Sequence, residues 1–129
     1  MIVVDASVLI AHLDARDTHN QKAAALLEAA VAEPLGASAI TIAEVLVGPV
    51  RAGRLEEASA ALTRLGLHEI GLGEGAAARL ATMRARTRLK LPDCCVLLAA
   101  EDREAEEVAS FDNRLAAVAA AMGLRLLEG

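Results

Sequence analysis

Four acidic residues occupy positions from which side chains could do chemistry. Two of them come directly after short apolar runs, one stands at the start of an apolar segment, and one interrupts another: Asp5, Asp112, Asp93 and Glu44. Carboxylates that are gathered in one place repel each other, which raises their pKa values unless a cation lies among them. Oxygen ligands without convergent His or Cys favour a hard ion such as Mg²⁺ or Mn²⁺. The set therefore points to a divalent metal and a metal-activated water.

Each acid also has a structural alternative. Aspartate is favoured at helix N-caps and in the first helical turn, where it accepts amide hydrogen bonds, and this explains Asp5, Asp93 and Asp112 singly. Glu44 is more informative, because we predict it on a buried helix face between Ile40 and Val47, with no basic residue one turn away. A buried carboxylate is costly unless it is paired or bound to a metal. A structural ion pair with a distant Arg remains the alternative.

The strands and helices predicted around these acids indicate where each acid lies in the fold. Residues 2 to 4 indicate a buried strand, and a helix begins near Ser7, so that Asp5 lies at a strand-to-helix junction. The stretch "EEVASFD" predicts a second strand ending at Asp112, and "LPDCCVLLAAEDRE" predicts a helix that begins near Asp93. The helix after Ser38 is predicted to end at residues 48 and 49, a Gly and a Pro.

Short strands that alternate with longer helices indicate βαβ units. The predicted fold is therefore α/β, with a short parallel sheet flanked by helices on both faces. The junctions that carry the acids then lie at the carboxyl edge of the sheet, where such folds hold ligands. A length of 129 residues fits one domain over residues 1–129.

Composition and charge exclude two modes of binding nucleic acid. Phe111 is the only Phe, Tyr or Trp residue, so that the core must be aliphatic and base stacking on aromatic platforms is nearly excluded. A formal net charge of -5 argues against binding by bulk positive charge. A nucleic-acid partner would need bound cations or a local basic patch.

The two cysteines and the apolar segments bear on location. Cys94 and Cys95 are adjacent inside an apolar stretch, which is poor spacing for a disulfide or a zinc site and favours simple packing in a reducing environment. No basic segment precedes the first apolar run, as a signal peptide would require. The longest apolar stretch, residues 115 to 124, is about half of the ~20 residues that span a bilayer. We predict a soluble cytoplasmic protein without a membrane partner.

Four sequence motifs together resemble a known family. The stretches "VVDASVLIAHL", "ITIAEVLVG", "LKLPDCCVLLAA" and "VASFDNRLAAVAAAMGLRLL" occur in the order and spacing of PIN-domain ribonucleases. The chain most resembles the VapC-type toxins of bacterial toxin–antitoxin pairs over essentially its whole length. The resemblance implies a Mg²⁺- or Mn²⁺-dependent endoribonuclease that leaves a 5′-phosphate and a 3′-hydroxyl. It implies four catalytic and metal-binding acids: Asp5, Glu44, Asp93 and Asp112.

The resemblance extends to polar neighbours of the acids. It suggests that Ser7 and Ser110 are hydroxyls that orient a carboxylate, a water or a phosphate. Asn113 stands where some relatives have another acid, which leaves open whether one or two metal ions bind.

A basic cluster leads into the Asp93 motif: Arg84, Arg86, Arg88 and Lys90. If these side chains lie near the acids, they could hold the RNA backbone. The alternative is a solvated helix end, where cations complement the helix dipole. The three histidines, His12, His19 and His68, do not cluster in sequence, and none is favoured as a general base.

The resemblance also implies partners, namely a homodimer and a cognate antitoxin. Amphipathic helices such as "LEEASAALTRLG", with a mean hydropathy of +0.41, leave apolar surface for such contacts. An antitoxin could lay a helix in an apolar groove and send a basic side chain into the acidic pocket.

Two other functions are alternatives to a nuclease. A phosphotransfer or receiver domain also places Asp after its first strand, but the expected Asp-x-Asp is Asp5-Ala6-Ser7 here, and paired acids at that edge and a Lys near the last strand are missing. The other rival is a non-catalytic α/β binding module with a degenerate acidic pocket. The presence of all four acids weighs against it.

Overall fold

Short strands alternate with longer helices along the chain, as the sequence predicts. The computed structural model describes residues 1–30 and 32–127. Within these ranges, the elements in chain order are β1 (Ile2–Val4), α1 (Ala6–Leu13), α2 (Asn20–Ala29), β2 (Leu35–Ser38), α3 (Ala39–Arg51), α4 (Leu55–Arg64), β3 (Leu67–Ile70), α5 (Ala76–Thr87), α6 (Leu91–Asp102), β4 (Glu107–Ala109), α7 (Asn113–Ala121) and β5 (Arg125–Leu126).

The five strands form one parallel sheet in the order β3-β2-β1-β4-β5. The central strand β1 pairs with β4, with Val4 opposite Ala109. Because parallel strands end at the same edge, the segments that follow β1 and β4 lie side by side. The predicted α/β class with a parallel sheet is confirmed.

The two faces of the sheet carry separate apolar cores, because successive strand side chains point to opposite faces. From β1, Ile2 and Val4 pack into a core with residues of α1, α2, α3 and α4. Val3 packs into the other core, with residues of α5, α6 and α7. Helices therefore cover both faces, as predicted.

The end of α3 differs from the prediction. The helix continues through Gly48 and Pro49 to Arg51. Proline removes only its own N–H, which lies near the end of this helix, and the Pro49 carbonyl still accepts a hydrogen bond from Arg54 N at 2.8 Å. The prediction that Gly48 and Pro49 terminate the helix is therefore wrong.

Cys94 and Cys95 are free thiols and are buried in α6, a helix whose residues from Cys94 to Ala100 are all buried. They pack as small apolar side chains, which agrees with the prediction. Among the described residues, every helix is too short or too polar to cross a membrane.

Candidate active site

Asp5 is the most enclosed of the four acids, with only 3% of its surface exposed. It is the N-cap of α1, where its Oδ1 accepts hydrogen bonds from Ser7 Oγ at 2.7 Å and Val8 N at 3.1 Å. Its Oδ2 accepts a short hydrogen bond from Ser110 Oγ, and its own N–H donates to Ala109 O at 3.0 Å. Both carboxylate oxygens are thus held in place.

Two serine hydroxyls connect Asp5 to the turn that follows β4. Ser7 Oγ accepts a hydrogen bond from Phe111 N at 2.9 Å, and Ser110 Oγ accepts one from Asp112 N at 2.9 Å. Each hydroxyl therefore bridges one oxygen of Asp5 to one backbone amide of the turn. Of the groups that these hydroxyls were predicted to orient, the structure places both serines against a carboxylate, that of Asp5.

Asp112 is the N-cap of α7, as the sequence predicts. Its Oδ1 accepts hydrogen bonds from Arg114 N at 2.9 Å and Leu115 N at 3.2 Å. Although Asp112 caps this helix, its negative charge still acts on Asp5. The pKa of Asp5 is raised mainly by burial, and the negative charge of Asp112 raises it further against the three hydrogen bonds that lower it.

Glu44 lies on the exposed face of α3, whereas the sequence analysis predicts it on a buried face. The buried residues of α3 are Thr41 and Val45, whereas Ile40 is 37% exposed and Val47 is 45% exposed. The apolar neighbours that suggested burial belong to an exposed apolar stripe on this helix. The predicted burial of Glu44 is wrong because apolar residues in a single sequence do not distinguish a core from an uncovered face.

Glu44 and Asp93 nevertheless lie close to the other acids. The pKa of Glu44 is raised by desolvation and then by the negative charges of Asp93 and Asp5. The pKa of Asp93, at the start of α6, is raised by desolvation and then by Asp112 and Asp5. The fold thus brings all four predicted acids to one edge of the sheet, where neighbouring negative charges disfavour the ionisation of Asp5, Glu44 and Asp93.

The predicted basic cluster is exposed but does not act as one unit. The Arg84 guanidinium donates to Leu89 O at 2.9 Å and so closes the loop between α5 and α6. Arg86 lines a groove between α5 and α7, and Arg88 is the left-handed C-cap of α5 with a φ of 63°. Only Lys90 of the four moderates the raised pKa of Asp93 by its positive charge.

Arg114 is a basic residue at the site that the sequence analysis did not single out. It lies in the first turn of α7, and its positive charge also lowers the otherwise raised pKa of Asp93. The signal for it was its position two residues after Asp112, at a helix start that faces the sheet edge.

The four acids fit a hard metal ion that keeps some of its water ligands better than an ion that is fully surrounded by protein side chains. No three His, Cys, Asp or Glu side chains among the described residues stand close enough to surround one ion. Mg²⁺ keeps several waters and commonly uses one or two carboxylates together with substrate phosphates. The pKa values of Asp5, Glu44 and Asp93 are raised in part by neighbouring acids, which fits this kind of ion, since a cation would offset the repulsion.

A groove of about 950 Å³ adjoins the acids on the side of α3. It lies between α1, α3 and α4, and Glu44 is part of its wall. Ile10 and Val45 contribute apolar surface and Arg64 contributes positive charge, while Arg54 is paired with Glu57 of the same wall at 2.6 Å. The groove therefore combines apolar surface with access to an acid of the site.

Solved structures of similar fold include toxins and toxin–antitoxin complexes. VapC20 of Mycobacterium tuberculosis, a toxin that cleaves the sarcin-ricin loop, has a TM-score of 0.75 and 18% identity over 92% of this chain and 95% of its own. A toxin–antitoxin complex from Klebsiella pneumoniae has a TM-score of 0.71 and 26% identity, with 87% of both chains covered. VapBC2 of Rickettsia felis, bound to a promoter DNA fragment, has a TM-score of 0.69 and 15% identity over 98% and 97%.

Comparison with curated protein sequences finds no match. The family model of the PIN domain matches residues 2–121, which is nearly the whole chain and includes all four acids. With its parallel sheet and its acids at the carboxyl edge, this chain belongs to the PIN domain family.

Proposed function

We propose that this protein is the toxin of a toxin–antitoxin pair, and that it hydrolyses RNA phosphodiester bonds in the cytoplasm with the help of Mg²⁺ or Mn²⁺. The observation that carries the proposal is the gathering of four carboxylates at one sheet edge, where the charge of Asp112 raises the pKa of Asp5 and neighbouring acids also raise the pKa values of Glu44 and Asp93. The PIN family and the RNA-cleaving toxin among its structural neighbours support the same activity.

The proposed metal ligands are Asp5, Glu44, Asp93 and Asp112. When bound, the ion supplies charge stabilisation at the phosphate and a water of lowered pKa. The protein contributes a fixed carboxylate at Asp5, whose orientation is set by the hydroxyls of Ser7 and Ser110. Such preorganisation matters because a site that is already arranged avoids reorganisation during the reaction.

Lys90 and Arg114 are the proposed contacts for the RNA backbone. Both are exposed, and both lie near Asp93 at the start of different helices. Cations beside an acidic site can hold phosphates that flank the one being cut, because phosphate contacts position a nucleic acid without reading its sequence. Arg84, Arg86 and Arg88 are the weaker candidates of the basic cluster, since Arg84 holds a loop and Arg86 lines a groove between other helices.

The proposed antitoxin occupies the groove between α1, α3 and α4. An amphipathic helix can bury apolar side chains there, and a basic side chain can reach Glu44 at its wall. Toxin–antitoxin complexes among the structural neighbours support such a partner. We also propose a homodimer, because large apolar side chains remain exposed, among them Val50 at 55% and Leu91 at 49%.

The test is cleavage and metal binding measured on the same preparation. The protein alone should cut RNA in Mg²⁺ or Mn²⁺, should lose activity with a chelator, and should gain thermal stability with either ion. The product of the adjacent reading frame should suppress cutting, and the mass in solution should be that of a dimer.

The alternative, a non-catalytic binding module with a degenerate acidic pocket, predicts a different result. Such a module would leave RNA intact at every metal concentration and would gain no stability from Mg²⁺ or Mn²⁺. If both results are obtained with folded protein, the nuclease proposal is wrong.

A further inference from the structure

The only Phe, Tyr or Trp ring of the chain, that of Phe111, contacts two exposed side chains, one at the N-cap of α2 and one in its first turn. The ring centroids of His19 and Phe111 are 5.2 Å apart with an interplanar angle of 36°, and Lys22 Nζ lies 5.4 Å from the Phe111 centroid. His19 and Lys22 are exposed, whereas Phe111 is half-buried against the core below. These three residues form what we call the ring cluster.

The ring cluster is directly connected to the acidic site. Phe111 stands between Ser110 and Asp112, and its N–H donates to Ser7 Oγ at 2.9 Å. Its backbone is therefore part of the hydrogen-bonded frame that holds Asp5. The cluster lies on the sheet face covered by α2, whereas α6 and α7, whose starts carry Lys90 and Arg114, cover the opposite face.

The side chains of the two exposed members of the cluster make no polar contact with the described part of the protein. Across residues 1–30 and 32–127, the side chains of His19 and Lys22 form no hydrogen bond or ion pair within the protein. His19 is the N-cap residue of α2, but its side chain makes no capping hydrogen bond. A histidine ring and a lysine ammonium that make no polar contact within the described part of the chain thus face solvent together beside an acidic site.

We propose that the ring cluster binds one unpaired nucleotide of the RNA substrate, with its base stacked on His19 and its phosphate held by Lys22. This inference rests on the proposed nuclease function and adds a subsite to it. Single-stranded RNA is commonly bound by stacking unpaired bases on aromatic rings or histidine, and a nearby cation meets the backbone. Counting Phe, Tyr and Trp alone hides such a platform, because its exposed ring belongs to a histidine.

The experiment measures cleavage of short RNA oligonucleotides by the full-length protein in Mn²⁺. One series of substrates lacks the base at a single position on either side of the cut. The variants are His19→Leu, which removes the ring, and His19→Phe, which keeps it, together with Lys22→Gln. His68→Leu is the matched control, since His68 is also exposed but lies on β3.

For wild-type protein, KM should rise about tenfold when one particular base is missing, with kcat little changed. His19→Leu should show the same rise on the intact substrate and no further rise on the substrate that lacks that base. His19→Phe should recover most of the affinity, and His68→Leu should behave as wild type. Lys22→Gln should weaken the dependence of KM on salt concentration.

Three results distinguish a failure of the proposed subsite from a failure of the proposed nuclease function. If wild-type protein cuts RNA but His19→Leu has the same KM, or loses affinity equally on every base-lacking substrate, the subsite is wrong and the nuclease stands. If His19→Leu changes only binding of the antitoxin, the cluster belongs to that interface and the subsite is again wrong. If folded wild-type protein cuts no RNA, both proposals are overturned.

Discussion

The two sides of the acidic site are built in different ways. On the side of β1 and β4, Asp5 is buried and both of its oxygens accept hydrogen bonds from two serines and a backbone amide. On the side of α3, Glu44 is exposed and is linked to Asp5 and Asp93 only through the charges that raise its pKa. One acid is fixed by hydrogen bonds, and the other is placed by helix packing.

This difference indicates how such a site can be both stable and adaptable. Asp5 is costly to bury, yet its hydrogen bonds offset part of that cost and preset its orientation. Glu44 keeps its side-chain freedom at the edge of the groove, where a metal, a phosphate or a partner side chain can engage it. Substitutions on the two sides should therefore fail in different ways.

The largest expected effect comes from Asp5→Asn. The amide has nearly the same shape but lacks the charge, so kcat/KM for RNA cleavage should fall by more than about 100-fold while the fold is retained. Circular dichroism and thermal unfolding control for folding. Cleavage at the wild-type rate would falsify the proposed role of Asp5.

Ser110→Ala should lower the stability of the fold, in addition to releasing one of the hydrogen bonds that orient Asp5. It leaves Asp5 Oδ2 and the Asp112 N–H without the hydroxyl that connects them, which should lower the free energy of unfolding by about 1–2 kcal/mol. Ser110→Thr keeps the hydroxyl and should remain close to wild type. Urea unfolding measures the difference through its midpoint. Equal midpoints for Ala and Thr would show that this bridge does not stabilise the fold.

Glu44→Gln should act on metal affinity and leave stability nearly unchanged. Loss of an exposed acid should weaken Mn²⁺ binding by about tenfold, because one of the attracting charges is gone. Glu56→Gln, an equal charge change at an exposed position of α4, is the control and should change neither property. A large loss of stability in metal-free protein with unchanged Mn²⁺ affinity would instead assign Glu44 a structural role.

The smallest expected effect is a pH dependence that separates the two acids. The pKa of Asp5 is raised above its ordinary value of 3.8, mainly by burial. The folded state therefore binds this proton more tightly than the unfolded state, and metal-free stability should fall as pH rises from 3.8 through the raised value. The stability of wild type relative to Asp5→Asn should accordingly decrease as pH rises above 3.8.

The stability of wild type relative to Glu44→Gln should also decrease as pH rises, but by a smaller amount, because Glu44 is more exposed. A wild-type stability that rises with pH relative to Asp5→Asn would contradict the raised pKa of Asp5. A larger amplitude for Glu44 than for Asp5 would reverse the comparison of the two sides.

The sequence alone determined the elements and the junctions that carry the acids. Alternating short apolar runs and helical periods predicted the parallel α/β fold, and the caps at Asp5 and Asp112 follow from residues only two or three positions away. These signals are local, so they can be detected without knowing what lies across the sheet. The four acids could be selected because three of them fall at such junctions.

Only the tertiary structure decided what surrounds those acids. The exposure of Glu44 depends on how α3 packs. The effect of Lys90 and Arg114 on the pKa of Asp93 and the contact between His19 and Phe111 join residues from different elements. Such contacts depend on strand order and on how helices cross the sheet, and a periodic pattern does not record these. A sequence shows that a helix has an apolar face, but packing determines whether that face is covered by the core or left open beside an active site.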